Sequence, residues 1–213
     1  MSGTVVSINV GAVREVMHNG RPTRTGIWKS PVAGSVALRD DQVDGDEIAN
    51  LDNHGGLHKA VYAFSVEDAA WWRSEHRRIV LPGAMGENLT VEGLDVSAAQ
   101  VGDRWNLGTA VLEVAGPRTP CFKLGLRHED QDIVEEFRRS LRWGAYLRII
   151  TEGVVTAGDQ ISVIPVTQPS MSVGEVARIY HQDRQRAAEL LDVPHISPEW
   201  IKFATAELSK QAD

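Results

Sequence analysis

Five runs of β-branched and apolar residues, each of strand length and bounded by Gly, Pro, Asn or Asp, recur from about Gly3 to Pro165: TVVSINV, KAVYAF, TAVLEVA, AYLRII and QISVIPV. Runs of this kind read as β-strands. Their number and irregular spacing favour a barrel over an alternating βαβ sheet. Two helical inserts interrupt them. Ser65 opens SVEDAAWWRSEH, with Asp68 three residues on as a weak capping box. DQDIVEEFRRSL then places Ile133, Phe137 and Leu141 four residues apart, on one helix face.

The pattern changes near Thr167. VTQPS, with Pro169 inside it, reads as a linker. Ser172 and Glu175 then form a capping box, and Val173, Val176, Ala177 and Tyr180 follow helical spacing. Val193-Pro194 breaks that region. Ser197 caps a last helix with Pro198 at its first position, and Ile201, Ala204 and Leu208 form its stripe. The expected fold class is therefore mainly β with helices: a β-barrel over residues 1–166 and a three-helix appendage over 167–213.

Composition narrows the function classes. A formal net charge of −7 repels phosphate backbones, so no nucleic-acid partner is expected. The charged runs RSEHRR and FRRSLR read as solvated helix faces. The opening MSGTVVSINV lacks the basic flank and long apolar stretch of a secretory signal. No run approaches the roughly 20 apolar residues of a membrane span, so no membrane partner is expected. One cysteine, Cys121, cannot make an internal disulfide; a reducing cytoplasm is the expected compartment.

Five segments carry candidate chemistry. In PRTPCFKL, Pro117 and Pro120 stiffen the backbone around Arg118, so Cys121 is expected in a rigid turn at a strand end. Arg118 and Lys123 bring positive charge that favours thiolate, both nucleophile and soft metal ligand. On these residues alone, an inert buried cysteine and a functional one stand level. In DNHGGLHKA, Gly55 and Gly56 let backbone N–H groups approach an anion. His54 and His58 have the spacing of helical zinc ligands, but the glycines oppose a helix, and a tight turn into the strand is the simpler reading. GENLT offers Asn88 and Thr90 at a strand start. TGIWKSPV offers Lys29 and Ser30 before Pro31. Arg148 lies inside the apolar strand of WGAYLRIITEG, either paired in the barrel or pointing into a pocket.

Taken in order, WKSPV, HGGLHKAV, GENLT with Gly93-Leu94, VGDR, PRTPCFKL, and GAYLRI with Gly158-Asp159 resemble the MOSC family, named for the C-terminal domain of molybdenum cofactor sulfurase. The resemblance spans nearly the whole chain. The helical tail is similar to that of the YiiM-like branch, linked to resistance against 6-N-hydroxylaminopurine. The resemblance implies a distorted MOSC β-barrel that holds a molybdenum cofactor (molybdopterin), with Cys121 as the metal ligand. By motif it implies cofactor contacts from Lys29, Ser30, Asn88 and Arg118. Arg148 and the turn of His54, Gly55 and Gly56 become pocket neighbours. His58 departs from the acidic residue common at its place in the family.

The activity implied is reduction of N-hydroxylated compounds, such as hydroxylaminopurines or hydroxylamines, with the oxygen leaving as water. Without a GxGxxG fingerprint or a cysteine cluster for iron–sulfur, the electrons are expected from a separate reductase. Two rivals remain: a non-catalytic cofactor or sulfur carrier using Cys121, and a cysteine-dependent hydrolase with His54, His58 or His128 as base. The tail either packs on the barrel, or serves to form a homodimer or to dock the reductase.

Overall fold

The computed structural model describes residues 2–51 and 55–212. Seven strands close into a barrel: β1 (Ser2–Val10), β7 (Val61–Ser65), β8 (Leu89–Glu92), β9 (Arg104–Leu107), β10 (Ala110–Pro117), β11 (Ala145–Thr151) and β13 (Gln160–Ile164). Their order around the ring is β13-β9-β10-β11-β7-β8-β1, and β1 pairs back onto β13. The five strands expected from apolar runs are all among them. Every neighbouring pair is antiparallel except β7 with β8. A parallel pair needs a crossover, which α1 (Val66–His76) supplies. Its cap is the expected one: Ser65 Oγ accepts from the Asp68 N–H at 3.0 Å.

The parallel pair has a consequence for placement. The residues before β7 and those before β8 emerge on one rim, and the end of β1 joins them because Ile8 pairs with Leu89. Outside the barrel, β2 (Arg14–His18) and β3 (Arg21–Thr25) form a hairpin, β4 (Ser30–Pro31) pairs with β1, and β5 (Ser35–Arg39), β6 (Gln42–Val43) and β12 (Gly153–Thr156) form a small sheet.

β7 is buried on both faces. Successive side chains alternate faces, so Val61 and Ala63 enter the barrel interior. Tyr62 and Phe64 enter a second core beneath the helices with Trp72, Leu124, Ile133 and Phe137. Two covered faces explain why Val61 to Phe64 is apolar without interruption. Ile133 and Phe137 anchor α3 (Asp132–Ser140) there as their spacing predicts.

The tail comprises α4 (Val173–His181), a 3-10 segment over Arg184–Asp192, and α5 (Pro198–Ala212). Ser172 Oγ accepts from the Glu175 N–H at 3.2 Å, as expected of that cap. Val176, Ile179, Leu190 and Trp200 form a third cluster, and Tyr180 packs on both this cluster and the second core. The Trp200 indole lies over Gly116, where a Cβ would sit 2.7 Å from Nε1 and where φ is +140°. Ser197 N–H donates to the Ala115 carbonyl at 3.0 Å.

Two local expectations change. Cys121 is not in an isolated rigid turn: it is the extended N-cap residue of a short helix, α2 (Phe122–His128). Gly125 and the two upstream prolines hide that helix from propensity reasoning, but it ends in a left-handed Glu129 whose N–H satisfies the last carbonyls. The segment after Gly56 is a single 3-10 turn, Leu57–Lys59, and the strand begins at Val61 rather than Lys59.

Candidate active site

The register of β10, β11 and β7 sets one wall of a pocket. Gly116 faces Tyr146, and Tyr146 faces Tyr62. A bulge between Val114 and Gly116 bends β10 as it leaves the sheet and turns Arg118 back over these tyrosines. The Arg118 guanidinium carbon lies 5.2 Å from the Tyr62 ring centre and 5.5 Å from that of Phe137. Its Nη2 is 3.8 Å from Cys121 Sγ. Cys121, Arg118, Tyr62 and Tyr146 line a cleft of about 610 Å³ of empty space, part of it open to solvent.

The opposite wall comes from the rim. Lys29, Asp46, Gly86, Asn88 and Lys59 line it. Asp46 holds this wall together: it pairs with the Lys29 ammonium and accepts from Asn88 Nδ2 and the Gly11 N–H, each at 2.9 Å. The Asn88 amide is fully engaged. Its Oδ1 accepts from the Tyr62 N–H at 3.1 Å, and Nδ2 also donates to the Asn9 carbonyl at 3.3 Å. Asn88 therefore stitches β7, β8 and β1 while facing the pocket.

Beneath that wall Glu87 is buried and accepts from the Gly83 N–H at 2.6 Å, the Met85 N–H at 3.0 Å and the Thr90 hydroxyl at 2.9 Å. Burial pushes its carboxyl up to about 7 against these donors. Gly83 has φ +82°, and a Cβ there would meet the Lys29 carbonyl at 2.6 Å, so the loop closes against Lys29 only with glycine.

Burial lowers the Lys29 ammonium, while Asp46 works to hold its charge. Burial also opposes charge on Arg118, yet Tyr62, Cys121 and Tyr146 hold the guanidinium above its ordinary range. Burial raises Tyr62, and raises Tyr146 to about 12, against the pull of Arg118. Among the described residues Arg118 Nη1 is a buried donor without an acceptor. Leaving a buried guanidinium N–H without an acceptor costs free energy, so the fold carries an unmet donor in a residue that lines the cleft.

The structure thus brings Cys121, Arg118, Lys29 and Asn88 to one pocket. Ser30 is exposed on β4 and lies outside it. Arg148 is also outside: its Nε donates to the buried Glu113 carboxylate at 2.8 Å, the paired alternative its position in a strand allowed. The Gly55 N–H donates to the Leu51 carbonyl at 3.0 Å, and Gly55 does not line the pocket. His54 falls outside the described residues. Asp46, Tyr62, Tyr146 and Glu87 were not singled out by motif. Asp46 sits in the acidic stretch DGDE, which reads as solvated loop, and the tyrosines belong to strands whose apolar runs read as core. Among the described residues no group of three or more His, Cys, Asp or Glu side chains could hold a metal ion, so a metal here would depend on Cys121 and on ligands the metal brings with it.

The rim and the bent strand of a closed mixed barrel thus enclose one thiol, a buried guanidinium and a buried ammonium in a single cleft. The MOSC domain model matches residues 50–162. Protein YflK of Bacillus subtilis is 32% identical over 92% of this chain and 90% of its own length. A protein named "Reductase" from Gibberella moniliformis is 32% identical over 83% of this chain, which covers 32% of that longer protein. The crystal structure of YiiM from Geobacillus stearothermophilus superposes with a TM-score of 0.78 at 28% identity, covering 97% of this chain and 99% of that one. The chain belongs to the MOSC domain family, in its YiiM-like branch. No described helix is long and apolar enough to cross a membrane.

Proposed function

We propose that the protein is a molybdenum-cofactor-dependent reductase of N-hydroxylated compounds, with Cys121 as the protein ligand of the metal. The observation that carries this reading is the juxtaposition of the chain's one thiol with a buried guanidinium whose Nη1 lacks an acceptor. Family membership and the relative named a reductase support it. The donor set fits the group: a thiolate suits a metal already carrying dithiolene sulfur, and Arg118 and Lys29 suit an anionic pterin phosphate. When bound, the cofactor supplies the two-electron redox chemistry.

The chain's own residues do the rest. Arg118 sets its Nη2 3.8 Å from Cys121 Sγ and brings a positive charge to the wall that a bound anion would meet. Lys29, fixed by Asp46, adds a second positive charge on the facing wall. Asn88 and Glu87 brace that wall. The tyrosines and Phe137 exclude water behind Arg118, where its charge acts in a low dielectric. The overall conversion takes R–NHOH, two electrons and two protons to R–NH2 and water. The electrons come from an external reductase.

Among the described residues the hydrolase alternative receives no geometric support, His54 lying outside them. His128 directs Nε2 to the Ala84 carbonyl at 3.0 Å, and burial, then the Arg148 charge, lowers His58 beside Glu113 and Glu199. Elemental analysis of wild type and Cys121→Ser, both made in a host that supplies the cofactor, tests the ligand. Near-stoichiometric molybdenum in wild type, falling at least about tenfold in the variant, is expected for loss of a metal ligand. Equal metal in both removes the ligand assignment. Loaded wild type that reduces no N-hydroxylated compound with a chemical electron donor replaces the reductase reading with the carrier one.

A further inference from the structure

Immediately outside the pocket lies a wider basin of about 1400 Å³ of empty space, much of it open to solvent, which shares Ala49, Lys59 and Lys123 with the inner cleft. Four elements each send it a cation: Arg24 from β3, Lys59 from the 3-10 turn before β7, Lys123 from α2 and Lys202 from α5. Among the described residues its one carboxylate is Glu199, which pairs with Lys59. In a chain of net charge −7 this is a local reversal of sign. Concave walls of one charge focus the field and raise the local concentration of an oppositely charged ligand.

The depth order of the cations limits what that ligand is. Arg118 and Lys29 are buried in the inner pocket and suffice for an anion held there. Arg24 and Lys202 are exposed and lie farther out, beyond the shared rim. They suit a second anion, attached to a molecule whose reacting end is inside. A nucleoside monophosphate has that shape: a purine at one end, a dianionic phosphate at the other, and a sugar as the spacer. Hydroxyls of Thr23 and Thr119 on the basin wall offer donors to the same group. The basin also gives the tail a role, because α5 supplies Lys202 and the Glu199 that holds Lys59.

We propose that this basin is a phosphate subsite and that the substrates it selects are N-hydroxylated purine nucleotides rather than free bases. The inference rests on the reductase reading for its substrate, but the subsite is tested without turnover. Calorimetric titration of the cofactor-loaded protein with AMP and with adenosine should show AMP about tenfold tighter or more. That difference should vanish in Arg24→Glu/Lys202→Glu and shrink in about 0.5 M salt, because exposed cations are screened. In turnover, the kcat/KM ratio of 6-N-hydroxylaminopurine riboside monophosphate over its riboside should be about ten or more in wild type and near one in the double variant. AMP binding no tighter than adenosine overturns the proposal. A double variant that keeps AMP binding but loses molybdenum assigns the basin to the cofactor's own phosphate and also overturns it. So does a double variant impaired only with a protein electron donor, which marks a docking surface. Selective AMP binding with no turnover of any N-hydroxylated compound upholds the subsite while removing the reductase reading.

Discussion

Two arginines leave neighbouring stretches of the same strand pair and meet opposite fates. Arg148 on β11 faces Glu113 on β10, whose buried carboxylate also receives Arg104 Nε at 3.0 Å from the far side and has His195 Nδ1 at 3.3 Å. Both guanidiniums of that cluster share the one buried carboxylate. Arg118, just past the end of β10, is more deeply buried yet forms no ion pair among the described residues. It meets two aromatic faces and a thiol, and keeps one N–H without an acceptor. A cation that serves the fold comes with its own anion. A cation that serves a ligand is left waiting for one, and the fold carries the cost.

The largest test of this contrast is Arg118→Met. Turnover of N-hydroxylated substrates should fall by about 100-fold or more, as for loss of a preorganised charge at a reacting centre, and molybdenum content should fall with it. The cofactor-free protein should be as stable in urea as wild type or more so, because an uncompensated buried charge has been removed. Normal molybdenum content would break the comparison. Arg148→Met is the converse. It leaves Glu113 with Arg104 and lowers the urea-derived stability by about 2 kcal/mol, less than for a fully buried pair because Arg148 is partly exposed and Arg104 remains, while molybdenum content stays within about twofold of wild type. A loss of metal instead would move Arg148 into the binding machinery.

Glu87 is a third kind of buried charge, met by backbone N–H groups instead of a cation. Its carboxyl, raised by burial to about 7, binds its proton more tightly in the folded chain than in the unfolded one. The stability it confers is therefore complete below the unfolded value of about 4.3 and is lost as pH rises through 7. Between pH 5 and 8, wild type should lose about 2 kcal/mol more than Glu87→Gln in urea titrations, a discounted reading of the shift. Parallel curves would show that the N–H donors fully offset burial.

The barrel was legible because its strands are apolar on the faces they bury, and the tail because Ser172 and Ser197 mark its starts. The hairpin of β2 and β3 also carries a sequence signal, since Asn19 and Gly20 both adopt positive φ in a two-residue turn. Its strands, however, are polar and mostly exposed, and apolar patterning passes over them. The reacting loop was legible around Cys121 and Arg118 because prolines and cations cluster there. Asp46 was not, since a carboxylate in an acidic loop looks solvated until folding sets it against Lys29 and Asn88. Ser30 shows the opposite error: it neighbours Lys29 in sequence, but Lys29 precedes β4 and is buried in the pocket wall, while Ser30 begins β4 and is exposed.

The indole of Trp200 seated on Gly116 couples the tail sterically to the reacting loop. Any side chain at position 116 would have to displace the ring at 200, and a smaller residue at 200 would open a hole behind the bend that aims Arg118. Neither position can drift alone. A tail with a different residue at 200 would therefore change the shape of the pocket even where no pocket residue has changed.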